Sequence, residues 1–430
     1  MPSKGKPTGL FYGWWIVGAS LLIALYSGGV VFYGFTAVFE PIANDMGWSY
    51  AQISLAASLR GLELGLFAPI TGILTDRWGP RRLIFGGAIL TAAGLFLLSQ
   101  TTSLAMFYGG FALISVGMSA TTVTVLMTAV ANWFRSKVGI ASGIAMSGFG
   151  LSGLIVPLIV KLIEVYDWRT AMSILAAGML VIVTPLSFVF RHRPEQYGYF
   201  TDGRENMPAA PGIAETEPQT AELHIRTSQA LKTGTFWRMS ATFMVHALII
   251  STVITHVMPY LSSIGMTRSR ASLVAMALPM MSIAGRLGFG WLGDKFDRRR
   301  IVAAAFVMVT AGLLCFGYAP AVGFWMLIPF LFFFSIGYGG STGVRPSIVS
   351  EYFGRSNFGT IFGLIVGINA VGAIAGPPLA GWVYDTWGSY QGVWLGYAGV
   401  AVVASLLIAG ASRVPLAPES DSEAGKGGVE

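Results

Sequence analysis

Residues 271–300 read ASLVAMALPMMSIAGRLGFGWLGDKFDRRR. The apolar part is long enough to cross a bilayer, yet Arg286 sits well inside it. A central arginine costs roughly 2.5 to 3.5 kcal/mol on insertion scales unless a partner or a wet cavity receives it. The stretch then ends in a charged turn, Asp294-Lys295-Phe296-Asp297-Arg298-Arg299-Arg300. A buried cation followed by a polar turn predicts a ligand site joined to a gate, which is the arrangement of a membrane carrier.

The rest of the chain extends that reading. Of its 430 residues, 54% are hydrophobic and 11% charged, whereas soluble domains carry about 25% charged residues. Mean hydropathy is +0.66. A membrane helix needs about 20 apolar residues, so the chain has room for roughly a dozen spans. The net charge of +7 does not imply a nucleic-acid partner, because the basic residues sit in turns between apolar runs. Cys315, the single cysteine, excludes an intramolecular disulfide and reads as a small buried hydrophobe. The N-terminal MPSKGKPTG leads into a long span without a small-residue cleavage pattern, so no cleaved signal is expected.

Turn chemistry and charge divide the chain into twelve expected spans: 11–39, 50–75, 83–101, 103–131, 138–163, 168–190, 236–263, 271–293, 300–320, 322–350, 357–384 and 388–412. Residues 191–235, rich in Pro, Glu, Thr and Gly, read as a linker by composition. The expected organisation is an N-terminal six-helix bundle (1–190), the linker, a C-terminal six-helix bundle (236–412) and a polar tail (413–430). Among the 27 lysines and arginines, only Lys161, Arg169, Arg268 and Arg270 lie in odd-numbered loops, and Arg60, Arg286 and Arg345 lie within spans. The remainder sit at the termini and even-numbered loops, so both termini and the linker are expected in the cytoplasm of a cell-membrane protein.

An internal repeat appears at an offset near 218. Glu40-Pro41 through Gly47 matches Met258-Pro259 through Gly265, and GILTDRWGPRR (72–82) matches GWLGDKFDRRR (290–300). Trp133-Phe134 matches Tyr352-Phe353, and Tyr166-Asp167 matches Tyr384-Asp385. Two six-span repeats of parallel topology place a site at the midplane between them and predict alternating access by rocking.

The 72–82 turn and its degenerate copy resemble the loop signature of the major facilitator superfamily, over essentially the whole chain outside linker and tails. FYGWWIV (11–17) and WFRSKVGIASGIAMSGFGLSG (133–153) further resemble the monocarboxylate transporter family and its oxalate–formate antiporter relatives. The resemblance implies an all-α membrane protein of twelve helices in two pseudo-symmetric six-helix bundles, a non-enzyme carrying a small anion without a cofactor. Three positions depart from the relatives. Ser282 stands where eukaryotic monocarboxylate carriers have an acid before the eighth-span arginine, a residue near Gly34 replaces their first-span lysine, and Asn369 replaces the eleventh-span lysine of oxalate carriers. One cation facing a neutral amide suits a monocarboxylate better than a dianion.

Arg286 is the expected substrate anchor, since a guanidinium offers a carboxylate a planar fork and stays charged; the competing reading is a structural ion pair. Tyr33, Tyr338 and Asn369 lie at plausible cavity depth as substrate ligands, with helix packing as their alternative. His256 is expected to touch substrate and carry the coupling proton, against a packing role, and His246 is a weaker version of the same idea. Glu63 is a second proton-carrier candidate, although Arg60 three residues earlier can pair with it on one helical face. Arg345 either lines the inner vestibule or snorkels. Asp76, Arg77, Arg81, Asp294 and Arg298 are expected to latch the halves in one state or to remain solvated loop charges. Gly139, Gly143, Gly359 and Gly363 are expected at close helix approaches.

These residues predict proton-coupled symport of a lactate- or pyruvate-like monocarboxylate by a monomer in the lipid bilayer. The alternatives are an organic-anion antiporter of the oxalate/formate type and a non-transporting membrane sensor. No metal-ligand cluster, nucleophile–base pair or phosphate-binding loop motif is present in the sequence.

Overall fold

The computed structural model describes residues 11–59, 61, 67–121, 123–134, 137–192, 194–197, 227–354 and 358–411, and the regular elements among them are all helices. They are α1 (Gly13–Met46), α2 (in two described pieces, Tyr50–Ser58 and Ala68–Trp78), α3 (Pro80–Ser99), α4 (Leu104–Trp133), α5 (Val138–Val165) and α6 (Trp168–Ser187). Two short helices, Pro194–Tyr197 and Thr227–Leu231, lie in the expected linker, and α7 begins inside its expected bounds: α7 (Gly234–Ser263), α8 (Arg268–Lys295), α9 (Arg298–Val322), α10 (Phe324–Phe353), α11 (Phe358–Trp387) and α12 (Gln391–Ala409) follow. Eleven of these are long and apolar enough to cross a membrane. The centre of the second expected span, with Arg60 and Glu63, lies outside the described residues.

Helix ends extend past the apolar runs because caps, not hydropathy, decide where a helix stops. The α1 helix continues through Pro41 to Met46 and terminates where Gly47 turns left-handed at φ 66°. Its repeat counterpart α7 contains Pro259 and is followed by Gly265 at φ 89°. Only glycine adopts that backbone without a Cβ penalty, and it is the usual helix terminator. Ser49 and Gln52 form a reciprocal capping box at the start of α2, while Ser103, Asp167 and Thr233 cap α4, α6 and α7. Asp297 caps α9; the side chain of Arg299 bonds its carboxylate and holds it below the usual carboxylate range.

The packing is pseudo-two-fold. α1 packs on α5 as α7 does on α11; α3 packs on α4 and α6 as α9 does on α10 and α12. Between the halves, α2 packs on α11 and α5 on α8, again a pair related by the repeat, with α1 against α7 near the axis. Perimeter residues such as Val181 and Ile328 are 73% and 72% exposed. Apolar side chains exposed to that degree suit a lipid surround, in which no hydrophobic penalty applies.

The two faces of the bundle differ. On the basic face, Arg298 pairs with Glu351 at 3.0 Å and Arg299 donates to the Ala411 carbonyl at 2.8 Å, both within the C-terminal half. The two stretches that carry the family resemblance meet here. Phe11 and Trp14 pack edge-on against Phe134, with ring centroids 5.5 and 5.0 Å apart, and Tyr12 lies 5.3 Å from Trp133. They form one aromatic clamp between the start of α1 and the end of α4.

At the far face, bonds cross between the halves. Asp385 at the end of α11 accepts from the Tyr50 and Ala51 backbone N–H groups, at 3.0 and 2.8 Å, and so caps the first turn of α2. The related seam carries a weaker counterpart, Ser269 of α8 donating to Glu164 of α5 at 3.1 Å. Arg268 donates to the Ala37 carbonyl at 2.6 Å, and Thr36 accepts from the Met258 N–H at 3.1 Å.

Glycines follow the same asymmetry. A Cβ on Gly139, Gly143 or Gly363 would meet open space, so these residues are not the close approaches expected of them; the Gly359 expectation lies outside what is described. The approaches are made about two to four turns farther along. A Cβ on Gly150 or Gly153 would collide with α8, and one on Gly372 or Gly376 with the carbonyls of Met244 and Leu248 in α7. Among the described residues, the hydrogen bonds that join the halves therefore gather at the far face.

Candidate functional site

Arg286 is brought beside α10 by small residues. Gly285 of α8 abuts the Ile336 backbone, Gly339 abuts Ser282, and Gly343 lies against the Arg286 backbone. Glycine at such points lets helix axes approach to backbone contact. Arg286 thereby faces Tyr338, whose hydroxyl lies 3.4 Å from Nη2, a loose contact, with the guanidinium carbon 5.9 Å from the ring centroid. Arg286 Nε is buried without a hydrogen-bond partner. A guanidinium has five N–H donors, so most of this one's capacity is unused.

Tyr33 reaches the same point from the other half. It ends a π-helical stretch, Gly28–Tyr33, a widened turn of the kind that occurs mostly at functional sites. Its hydroxyl lies 3.1 Å from that of Tyr338. Both tyrosines are buried, 6% and 9% exposed.

Arg345, two turns below Tyr338 on α10, extends into the same cluster. Its Nη2 lies 3.0 Å from His246 Nδ1, and its guanidinium carbon lies 4.8 Å from the Phe243 ring centroid. With the Asn369 amide oriented as the network requires, its oxygen accepts from Arg345 Nη1 at 2.9 Å and its nitrogen donates to the Phe243 carbonyl at 2.6 Å. The His246 ring stands 6.0 Å from that of Tyr338. Among the described residues, no carboxylate pairs with either guanidinium: the ion pairs of this chain lie elsewhere. Two cations therefore share one polar cluster, and the amide of Asn369 is not the neutral counterpart of a lone Arg286.

Other candidates lie apart. His256 is fully buried at the far-face seam, its Nδ1 2.9 Å from the Tyr390 hydroxyl and its Nε2 2.9 Å from the Pro377 carbonyl and 3.0 Å from Ser54 Oγ. Pro377 O can only accept, so Nε2 carries the hydrogen and Nδ1 accepts from Tyr390. This imidazole is partnered at both nitrogens, and the fold does not bring it to Arg286. Glu63 lies outside the described residues, as does the side chain of Asp76. Arg81 stacks on Phe188 with 4.7 Å to the ring centroid, Arg77 is exposed, and Arg298 takes Glu351 with Asp294 at a longer 3.9 Å. Arg81 and Arg298 thus engage partners inside their own halves.

Sequence reasoning left Arg345 unassigned and ranked His246 low. The signal available was that each is an ionisable group inside a span; that the two meet, 99 residues apart, emerges only from the packing of α7 on α10 and α11.

What this cluster can do is bind an anion. Guanidiniums without a carboxylate partner favour a carboxylate ligand, and the tyrosine hydroxyls can orient its second oxygen.

The sequence profile of the Major Facilitator Superfamily matches residues 19–289 and 252–429. The chain is 25% identical over 421 residues to monocarboxylate transporter 12 of Rattus norvegicus, covering 94% of this chain and 86% of the relative. It is 25% identical over 391 residues to the oxalate:formate antiporter of Oxalobacter formigenes, covering 90% and 89%. Among solved structures, the nucleoside transporter NupG superposes with a TM-score of 0.73 at 15% identity, over 92% of this chain and 98% of that one.

Proposed function

Because the chain belongs to the Major Facilitator Superfamily, we propose that it is a secondary carrier of small organic carboxylates, of the lactate or pyruvate type, that works by rocking two six-helix bundles about a central anion site. The observation that carries this reading is Arg286, a buried cation with one loose 3.4 Å partner and an orphaned Nε. A carboxylate supplies both missing acceptors at once. Tyr33 and Tyr338 join from opposite halves, so the ligand touches both bundles and its loading bears on how they close. On this reading the bundles are 1–190 and 236–412, joined by 191–235. The basic face is cytoplasmic, the far face external, and the described state is open to the cytoplasm.

A second reading rests on Arg345. Two guanidiniums in one cluster also suit an anion with two charges, carried by exchange rather than with a proton. The name of the antiporter relative is in keeping with that alternative.

Uptake of labelled lactate into proteoliposomes separates them. The first reading expects accumulation driven by an inward proton gradient and abolished in Arg286→Gln. Uptake that needs vesicles preloaded with a dicarboxylate would establish exchange. Failure of both lactate and oxalate to bind or move would remove the anion assignment and leave the fold.

A further inference from the structure

His246 is held differently from His256, and the difference has a mechanistic use. Arginine has no acceptor atom, so the 3.0 Å contact between Arg345 Nη2 and His246 Nδ1 makes Nδ1 the lone-pair nitrogen and puts the ring hydrogen on Nε2. While Arg345 donates into that lone pair, Nδ1 has no room for a proton. The donor that blocks it is a cation that no carboxylate partners among the described residues and whose own Nε lacks a partner. As a purely structural arrangement this is a poor one, because a neutral imidazole, an amide and a ring face leave the charge of Arg345 uncompensated within the membrane.

We propose that Arg345 and His246 are the proton-coupling switch of this carrier, an inference that rests on the anion-carrier reading above. An arriving carboxylate draws the Arg345 guanidinium off His246. Nδ1 then takes a proton from water in the open cavity, forming imidazolium, and anion and proton cross together. When the anion leaves on the other side, Arg345 returns to Nδ1 and displaces the proton to solvent. One proton is gained and one lost per anion carried. The groups that face His246 fit this account. Arg345 and Tyr338 come from α10 and Arg286 from α8, with Tyr33 of α1 behind Tyr338. α9 presents the Phe306 ring and α11 the Asn369 amide, neither of which titrates. On α12, Tyr397 lies at Thr252, nearer the far face. Among the described groups, His246 is the one base whose access to a proton depends on where an anion-binding arginine sits.

The test is the number of protons carried per lactate. Full-length protein in proteoliposomes, clamped with potassium and valinomycin, receives labelled lactate outside while a trapped pH dye reports luminal acidification, corrected for protein-free vesicles. The wild type is expected to carry about one proton per lactate. In His246→Gln, whose amide oxygen still accepts from Arg345 but takes no proton, the ratio is expected to fall at least several-fold, and uptake should now follow an imposed diffusion potential. His246→Asn repeats the measurement with a different shape, and lactate–lactate exchange reports whether each variant remains a working carrier. A ratio near one in His246→Gln overturns the proposal. So does wild-type lactate flux without protons, which leaves the carrier reading intact. Loss of exchange in both variants makes His246 a structural residue and likewise overturns it, whereas absence of wild-type flux for any carboxylate removes the carrier reading itself.

Discussion

Arg286 illustrates how one side chain sets the behaviour of a site. Hydrogen bonds to a charged group contribute about 1.5 to 3 kcal/mol each. Arg286→Gln, which keeps most of the length and loses the charge and fork, is therefore expected to weaken lactate binding by roughly 10- to 100-fold per bond lost. Titration calorimetry on the purified carrier measures it, and unchanged affinity would place the anion elsewhere. Arg286→Lys is expected to recover only part of the loss, because an ammonium cannot make the planar bidentate pair. Tyr33→Phe removes one neutral bond across the halves (3.1 Å to Tyr338) and should cost about 1 kcal/mol, a several-fold effect in the same assay. Arg286 was legible in the sequence because a single charge interrupts an apolar run. The cluster of Arg345, His246 and Asn369 was not, because three spans contribute one residue each and no local pattern links them. His256 misled for a related reason: a buried histidine and a titrating histidine look alike until the partners of both nitrogens are known.

Between helices, glycine is the informative residue, and its position along the helix matters more than its number. Gly372 faces the Met244 carbonyl in α7, and a backbone oxygen cannot turn away as a side chain does. Gly372→Ala is expected to destabilise the carrier by about 1 to 3 kcal/mol, the usual cost of overpacking, seen as a lower melting temperature in detergent. Gly143→Ala and Gly363→Ala add a methyl to open space and should leave that melting temperature unchanged. If the basic face closes during transport, both should nonetheless slow turnover, because the same positions then become contacts. Normal turnover in both variants would mean that closure does not bring these faces together. Hydropathy marked the spans but not these contacts, since α5 and α11 carry glycines along much of their length and only the tilt of each helix decides which ones touch.

For the whole molecule, the far-face seam fixes the state. Asp385 supplies two bonds from a carboxylate to free N–H groups at the start of α2. Asp385→Ala should loosen the seam and shift the population toward the far-face-open state, by roughly tenfold or more if each bond contributes about 1.5 kcal/mol. Thr36, 2% exposed in the seam, serves as reporter. In a Cys315→Ser background, Thr36→Cys should react faster with a membrane-impermeant maleimide once Asp385 is replaced; an unaltered rate would show that the seam holds without it. The all-helical plan of many apolar spans was readable from apolar runs, turns and the 218-residue repeat. The direction of opening proposed above was not, because nothing in a repeat says which end of it is closed.

That seam also carries a history. The seams α11–α2 and α5–α8 are related by the repeat, which is how two identical subunits meet about a two-fold axis. The halves meet as two copies of one subunit would, with a double cap by Asp385 on one seam and a single hydroxyl bond to Glu164 on the other. Recognition between the halves then resides in their surfaces rather than in the tether. Residues 1–190 and 236–430, expressed as two separate polypeptides in one membrane, should find each other and copurify, and their failure to do so would make the tether part of the fold.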